Sequence, residues 1–112
     1  MVEYKQEEEL SRLLKAIGDA TRRALLTQLC RQGATRVTDL AHHYAVSLNA
    51  ISKHIKVLEA AGLVRRKTLG RTHLIEADLS RIGLMSDWLG GLQSMWASSL
   101  DELDKILTGE EE

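Results

Sequence analysis

The 112-residue sequence has no proline, no phenylalanine and only one cysteine, Cys30. A single thiol excludes a disulfide within the chain and a zinc site built from several thiolates of one chain. The sequence also has no apolar run near the roughly 18 residues needed to cross a bilayer, and its first residues lack the profile of a secretory signal. These absences predict a cytoplasmic protein that does not bind a membrane.

The overall composition is that of a folded protein, with 44% hydrophobic and 28% charged residues. Its length suits one domain, so we expect a single domain over 1–112. The net charge of -1 is unusual for a protein that binds nucleic acid. The charges are segregated, however: 53–71 holds six basic residues and one acidic residue, while acidic runs occupy 7–9 and 110–112. This pattern predicts one basic face.

Apolar residues recur at helical spacing in the first third of the sequence. We predict a first helix over about 7–17. A second helix follows Asp19, a suitable N-cap, and ends at Gly33, a suitable C-cap. The apolar face predicted for this second helix includes Ala24 and Cys30.

Two short helices joined by a tight link come next. The first is predicted over 37–44 and the second over about 47–61, with Ser47 as its N-cap and Gly62 after its end. The packed face of the second is predicted to contain Leu48, Ile51, Ile55 and Leu58. Two short helices with a brief turn between them are typical of a helix-turn-helix unit.

The pattern changes to strands after Gly62. Segments 63–68 and 72–77 are compatible with β-strands, and Leu69 and Gly70 are predicted to form the turn of a hairpin, or wing, over about 63–77. A final helix is predicted over about 79–107. The fold class is therefore mainly α with a small β-wing, in the order α-α-α-α-β-β-α.

The segment 37–64 resembles the ArsR/SmtB family of winged-helix repressors. The resemblance extends back to 17–23 and forward through 65–71, with one departure at Ala20, where relatives often have proline. It implies a winged helix-turn-helix protein that regulates transcription as a homodimer. The implied partner is double-stranded DNA carrying an inverted repeat, because a two-fold protein requires two half-sites.

The predicted DNA-binding residues follow from this fold, since the N-terminal part of a recognition helix enters the major groove most deeply. Asn49 suits adenine, Lys56 suits a phosphate, and the resemblance places Arg71 in a minor groove. Arg22 and Arg23 are candidates for phosphate contacts or for a solvated surface. The predicted set is Ser47, Asn49, Ala50, Ser52, Lys53, Lys56, Arg65, Arg66, Lys67 and Arg71.

The last helix is too apolar to remain uncovered in a protein this small. The resemblance implies that the first and last helices form a two-fold interface. The predicted interface residues are Leu10, Leu13, Leu14, Met85, Trp88, Leu89, Leu92, Trp96, Leu100 and Leu103.

Metal sensing is the best-known activity of the resembled family. Its arsenic sensors carry a cysteine pair in the third helix, where this chain has 36–40 without a thiol, and its zinc sensors use histidines of the last helix, where 79–107 has none. We therefore predict no metal and no cofactor, and the sequence identifies no small-molecule effector. Asp39 and His43 share a helical face, and Cys30 is a free thiol, so an atypical metal or redox sensor stays open as an alternative.

Catalysis is not indicated, because the sequence has no nucleophile with a base, no phosphate loop and no metal-activated water motif. A dimeric module that binds protein through the same fold is the other alternative, since a fold does not fix a function. The cations Lys53, Lys56 and Arg71 argue against it, because a protein-binding module has no need of them.

Overall fold

The computed structural model describes residues 2–109, which form five helices and three strands. The chain divides into two units, Met1–Ile82 and Gly83–Glu112. In chain order the elements are α1 (Val2–Ile17), α2 (Ala20–Gln32), β1 (Thr35–Arg36), α3 (Val37–His43), α4 (Leu48–Ala60), β2 (Val64–Leu69), β3 (Thr72–Ala77) and α5 (Gly83–Thr108). None of the helices over the described residues has the length and apolar character that a membrane span requires. The predicted fold class is confirmed; that one domain both binds DNA and dimerises stays a prediction.

The ends of the helices carry the predicted caps. The Oδ2 atom of Asp19 accepts a hydrogen bond of 3.1 Å from the backbone N–H of Arg22, and the Oγ atom of Ser47 accepts one of 3.1 Å from Ala50. Both bonds satisfy N–H groups that the first turn of a helix leaves without partners. The bond from Arg22 also holds the pKa of Asp19 below its usual value, because it stabilises the carboxylate. Gly33 ends α2 with a φ of 84°, a conformation that favours glycine.

The core of the Met1–Ile82 unit is aliphatic, and every helix of that unit contributes to it. Burying each such side chain stabilises the fold by about 1.5 to 3 kcal/mol. The side chains with almost no exposed surface are Leu13, Leu25, Leu29, Leu40, Ile51, Ile55, Leu58, Leu63 and Ile75.

Three residues predicted to be packed are exposed instead. In α2 the buried positions are Leu25 and Leu29, one turn apart, while Ala24 and Cys30 are rotated to either side of that face and are exposed. Leu48 of α4 is 50% exposed, because it lies on the edge of the apolar stripe.

The sheet is antiparallel with the order β1-β3-β2. Strand β1 is an addition to the predicted order and pairs Thr35 with Ile75. Strand β2 runs one residue further than predicted, so Leu69 pairs with Thr72 and the turn consists of Gly70 and Arg71. Gly70 has a φ of 61° at the first turn position, as two-residue hairpins of type II′ require. The predicted turn at Leu69 and Gly70 is therefore wrong by one residue, and Arg71 itself occupies the tip.

The last helix begins at Gly83 rather than near Leu79. The reason is a turn at Asp78, whose Oδ1 atom accepts hydrogen bonds from the backbone N–H of Ser80 at 3.1 Å and from its hydroxyl at 2.8 Å. A side-chain turn of this kind competes with helix formation. At the other end of the chain, α1 begins at Val2, earlier than the predicted start near 7.

Candidate nucleic-acid interface

Helix α4 separates a packed face from an exposed polar face. Its buried residues are Ile51, Ile55 and Leu58. Of the predicted DNA-binding residues on this helix and its cap, Ser47, Asn49, Lys53 and Lys56 are exposed, and Ala50 and Ser52 are half-buried. The structure therefore leaves an amide and two ammonium groups free on the side of α4 that faces away from the core. These are groups that bind base edges and phosphates in a major groove.

The wing carries four of the predicted cations, and they differ in whether a carboxylate neutralises them. Arg65 Nε donates to Glu76 Oε1 at 2.7 Å across the hairpin, and this bond raises the pKa of Arg65. Arg66 Nε lies 3.1 Å from Glu59 Oε2 of α4. Within residues 2–109, Lys67 and Arg71 have no ion pair or hydrogen bond through their side chains. Arg71 and Lys67 are therefore the wing cations most available to a phosphate.

A groove of about 430 Å³ lies between the starts of α3 and α4 and the wing. Its walls contain three arginines, three hydroxyl groups and one histidine, and no acidic residue lines it. The lining residues are Arg36, Val37, Thr38, Leu48, Ser52, Arg66, Arg71, Thr72 and His73. The groove joins the helix and the wing into one basic surface, as DNA requires.

Arg36, Thr38, Thr72 and His73 belong to this groove but were not predicted from the sequence. Arg36 lies in β1 immediately before α3, and its Nε atom is 3.9 Å from Asp39 Oδ2 in an exposed pair. The one sequence feature that could have identified Arg36 as a groove residue was its position directly before a predicted helix. It becomes informative only when β1 pairs with β3 and brings α3 beside the wing.

The side chains of Arg22 and Arg23, which were candidates for phosphate contacts, bind groups of their own chain instead. Arg22 Nε donates to the carbonyl of Ala16 at 2.7 Å and Nη2 to that of Lys15 at 2.8 Å, while Nη1 lies 3.3 Å from Nδ1 of His54. Arg23 Nη1 donates to the carbonyl of Ile17 at 2.7 Å. Arg22 thus ties the last turn of α1 to the recognition helix, and both guanidinium groups satisfy carbonyls at a helix end.

The predicted interface residues fall into two groups. Leu10, Leu13 and Met85 are buried within the single chain, and Leu14 is half-buried. The remaining six lie on α5 and are exposed: Trp88, Leu89, Leu92, Trp96, Leu100 and Leu103. Met95, Ile106 and Leu107 of the same helix are exposed too. A surface for a second copy can therefore be sought on α5, but not at Leu10 or Leu13, because α1 uses these residues to pack against its own chain.

The donor groups of this chain do not fit the metal sites of the resembled sensors. Among residues 2–109 no group of three or more His, Cys, Asp or Glu side chains is placed to hold a metal ion. Asp39 faces Arg36, and the ring of His43 packs edge-on against Tyr44 at 4.9 Å. That the protein uses no metal stays a prediction.

The helix-turn-helix of α3 and α4, followed by a basic two-stranded wing, defines a winged helix-turn-helix protein of the DNA-binding kind. Residues 19–66 match the family described as bacterial regulatory protein, arsR family. The chain is 32% identical over 76 residues to the arsenical resistance operon repressor of Bacillus subtilis, which covers 67% of this chain and 72% of that protein. The chain therefore belongs to the ArsR family of bacterial transcriptional regulators.

Two further relatives are similar over almost the whole chain. An ArsR-like transcriptional regulator from Rhodococcus sp. RHA1 has 30% identity and a TM-score of 0.83, over 93% of this chain and 94% of that one. A helix-turn-helix transcriptional regulator of Mycobacterium tuberculosis is 29% identical over 99 residues, 88% of this chain and 89% of that protein. The predictions of this family, and of a DNA-binding regulator rather than an enzyme, are confirmed.

Proposed function

We propose that this regulator is a homodimeric repressor that binds an inverted-repeat operator in the cytoplasm and blocks transcription by occupying it. In each half-site α4 lies in the major groove and the wing reaches an adjacent minor groove. The observation that carries the proposal is the set of unpaired polar groups on α4 and the wing. Lys53, Lys56, Lys67 and Arg71 have no charged partner within residues 2–109, and Asn49 is exposed beside them.

The proposed roles follow from position. Asn49 and Ser52, in the first turns of α4, read base edges, and Ser47 and Ala50 lie against the same groove. Lys53 contacts a base edge or a phosphate, and Lys56, one turn further from the helix start, contacts a phosphate. Arg65, Arg66 and Lys67 contribute phosphate contacts from the wing. Arg65 and Arg66 contribute less, because Glu76 and Glu59 already neutralise them.

The proposed dimer rests on the amphipathic character of α5. Its exposed tryptophans and leucines share one side of the helix, whereas Ser94, Asp101 and Asp104 lie on the other. An exposed apolar stripe of this length marks an interaction surface. A two-fold pairing of such helices gives the symmetry that an inverted repeat requires.

Replacing Lys56 by alanine should weaken DNA binding in a salt-dependent way. Each phosphate contact adds about one unit to the slope of log K against log salt concentration, so removing Lys56 from both protomers should reduce that slope by about 2. Fluorescence anisotropy with labelled duplex DNA at several salt concentrations measures it. The control is Arg31→Ala, which removes an exposed cation from the last turn of α2. Equal slopes for the wild type and Lys56→Ala would contradict a phosphate contact, and no binding of duplex DNA at any salt concentration would favour a protein-binding module.

Zinc and arsenite are expected to leave the affinity for DNA unchanged. The chain offers one thiol, and the described histidines are not grouped with carboxylates in a metal site. The same anisotropy measurement with each ion added at micromolar concentration checks this. A fall in affinity that Cys30→Ser or His43→Ala abolishes would overturn the prediction and identify the donor of an atypical sensor.

A further inference from the structure

Leu48 is a large apolar side chain in an unexpected position. It is the first residue of α4 and is 50% exposed, although the other aliphatic residues on the stripe of this helix, Ile51, Ile55 and Leu58, are buried. Leu48 lies one turn before Ser52, on the border between the packed face and the face that carries Asn49 and Lys53. Its side chain is thus presented beside the polar groups proposed to read DNA.

The surroundings of Leu48 indicate what covers it. It lines the groove of about 430 Å³ together with Arg36, Arg66 and Arg71, and no acidic residue lines that groove. Within residues 2–109, no hydrogen bond engages the hydroxyl groups of Thr38, Ser52 and Thr72, which also line it. Among the described residues Arg71 is unpaired, whereas Arg66 and Arg36 face Glu59 and Asp39. The unpaired guanidinium of Arg71 and the three free hydroxyls suit a polyanion with many acceptor oxygens. A polyanion that also presents apolar groups next to its charged backbone fits this mixture, and duplex DNA is such a partner, because its bases carry thymine methyl groups.

We propose that Leu48 contacts the C5 methyl group of a thymine in each half-site and so makes thymine the preferred base there. The inference rests on the proposed binding of α4 in the major groove. The thymine methyl is the apolar group that a base pair presents in that groove. The first residue of a recognition helix is among those that enter most deeply. Leu48 therefore acts as a specificity-determining residue next to the polar readers Asn49 and Ser52.

The test removes the methyl group from the DNA and the side chain from the protein. An operator is first obtained by selecting bound sequences from random duplex DNA. Duplexes of this operator are then prepared with each thymine replaced in turn by uracil, symmetrically in both half-sites, and binding is measured by fluorescence anisotropy. Uracil keeps the hydrogen-bonding groups of thymine, so only the methyl contact is lost. For the wild type, one position should show a loss of about four-fold per half-site, the ratio that burial of one methyl group produces.

The variants assign that loss to Leu48. Leu48→Ala should bind the thymine and uracil duplexes equally well at that position, and it should remain folded at the assay temperature, because Leu48 is half exposed and lies outside the core. The control is Val46→Ala, which removes another exposed apolar side chain from the turn before α4 and should keep the preference for thymine.

Two results would overturn the inference while leaving the proposed function intact. One is specific operator binding by the wild type with no position at which uracil lowers the affinity. The other is an unchanged preference for thymine in Leu48→Ala. A wild-type protein that binds no duplex specifically would overturn the proposed function itself.

Discussion

Replacing Arg71 by alanine is expected to weaken operator binding by about 1 to 3 kcal/mol for each half-site, with the unfolding temperature unchanged. Arg71 occupies the second position of the two-residue turn that follows Leu69. Gly70, with a φ of 61°, occupies the first position. Its guanidinium has no carboxylate partner within residues 2–109, so DNA binding does not have to break an existing ion pair. A narrow minor groove concentrates negative potential and favours arginine there.

Two further variants make this prediction specific. Arg71→Lys keeps the charge but loses the planar set of donors, so it should recover only part of the affinity. Arg65→Ala removes another arginine of the same hairpin. Because Arg65 is already bound to Glu76 at 2.7 Å, this variant should lower the operator affinity less than Arg71→Ala does. Titrations of one labelled operator by anisotropy, with thermal unfolding of each variant, provide the comparison. Equal affinity of Arg71→Ala and the wild type would exclude the wing tip from the interface.

Replacing Trp96 by alanine is expected to weaken the dimer by about 2 kcal/mol or more, because large aromatic residues dominate protein interfaces. That corresponds to a dissociation constant at least about 30-fold higher. Trp96 is 66% exposed in the single chain, near the middle of the apolar stripe of α5. Operator affinity should fall with it, since a monomer holds one half-site. Analytical ultracentrifugation over a range of protein concentrations measures the dimer directly.

The matched control for Trp96 is Ser94→Ala, on the polar side of the same helix. It should leave both the dimer and operator binding unchanged. A Trp96→Ala protein that sediments as the wild type and binds the operator with wild-type affinity would place the two-fold interface elsewhere. Loss of DNA binding with an intact dimer would instead show that Trp96 acts on the DNA-binding unit.

The features that the sequence predicted correctly are governed by neighbouring residues. Asp19 and Ser47 were predicted as caps from their residue type and their place before a helical pattern, and in the structure each accepts a hydrogen bond from the backbone N–H three positions later. The hairpin was predicted from strand-forming residues around one glycine, and its register was displaced by one residue because the sequence does not show that Leu69 pairs with Thr72. Local chemistry therefore gave the order of helices and strands, with β1 as the omission.

The features that could not be predicted depend on contacts between distant parts of the chain. Strand β1 has two residues, too few for an alternating pattern, and it exists because β3 pairs with it. Arg22 was expected to be free for phosphate or solvent, yet its guanidinium is bound by carbonyls of α1. The carboxylate partners of Arg65 and Arg66 come from β3 and α4. Which cations of a basic segment are free is thus a property of the fold.

Burial of an apolar residue at the edge of a helix's apolar stripe also depends on contacts between distant parts of the chain. Leu48 fits the spacing of the packed face of α4, and periodicity alone predicted that it is buried. Its exposure follows from where α3 and the wing lie beside the helix, which leaves a groove rather than a packed contact. The residue that the sequence assigned to the core became the candidate for reading thymine.

The central claim, a dimer that reads duplex DNA with α4 and the wing, is tested most directly by selecting bound sequences from random duplex DNA with the full chain at a stated salt concentration. The predicted result is enrichment of an inverted repeat whose half-sites are centred about one helical turn, or a multiple of it, apart. Arg71→Ala should enrich the same repeat less strongly. Recovery of unenriched sequences, or of a single half-site without symmetry, would contradict the account.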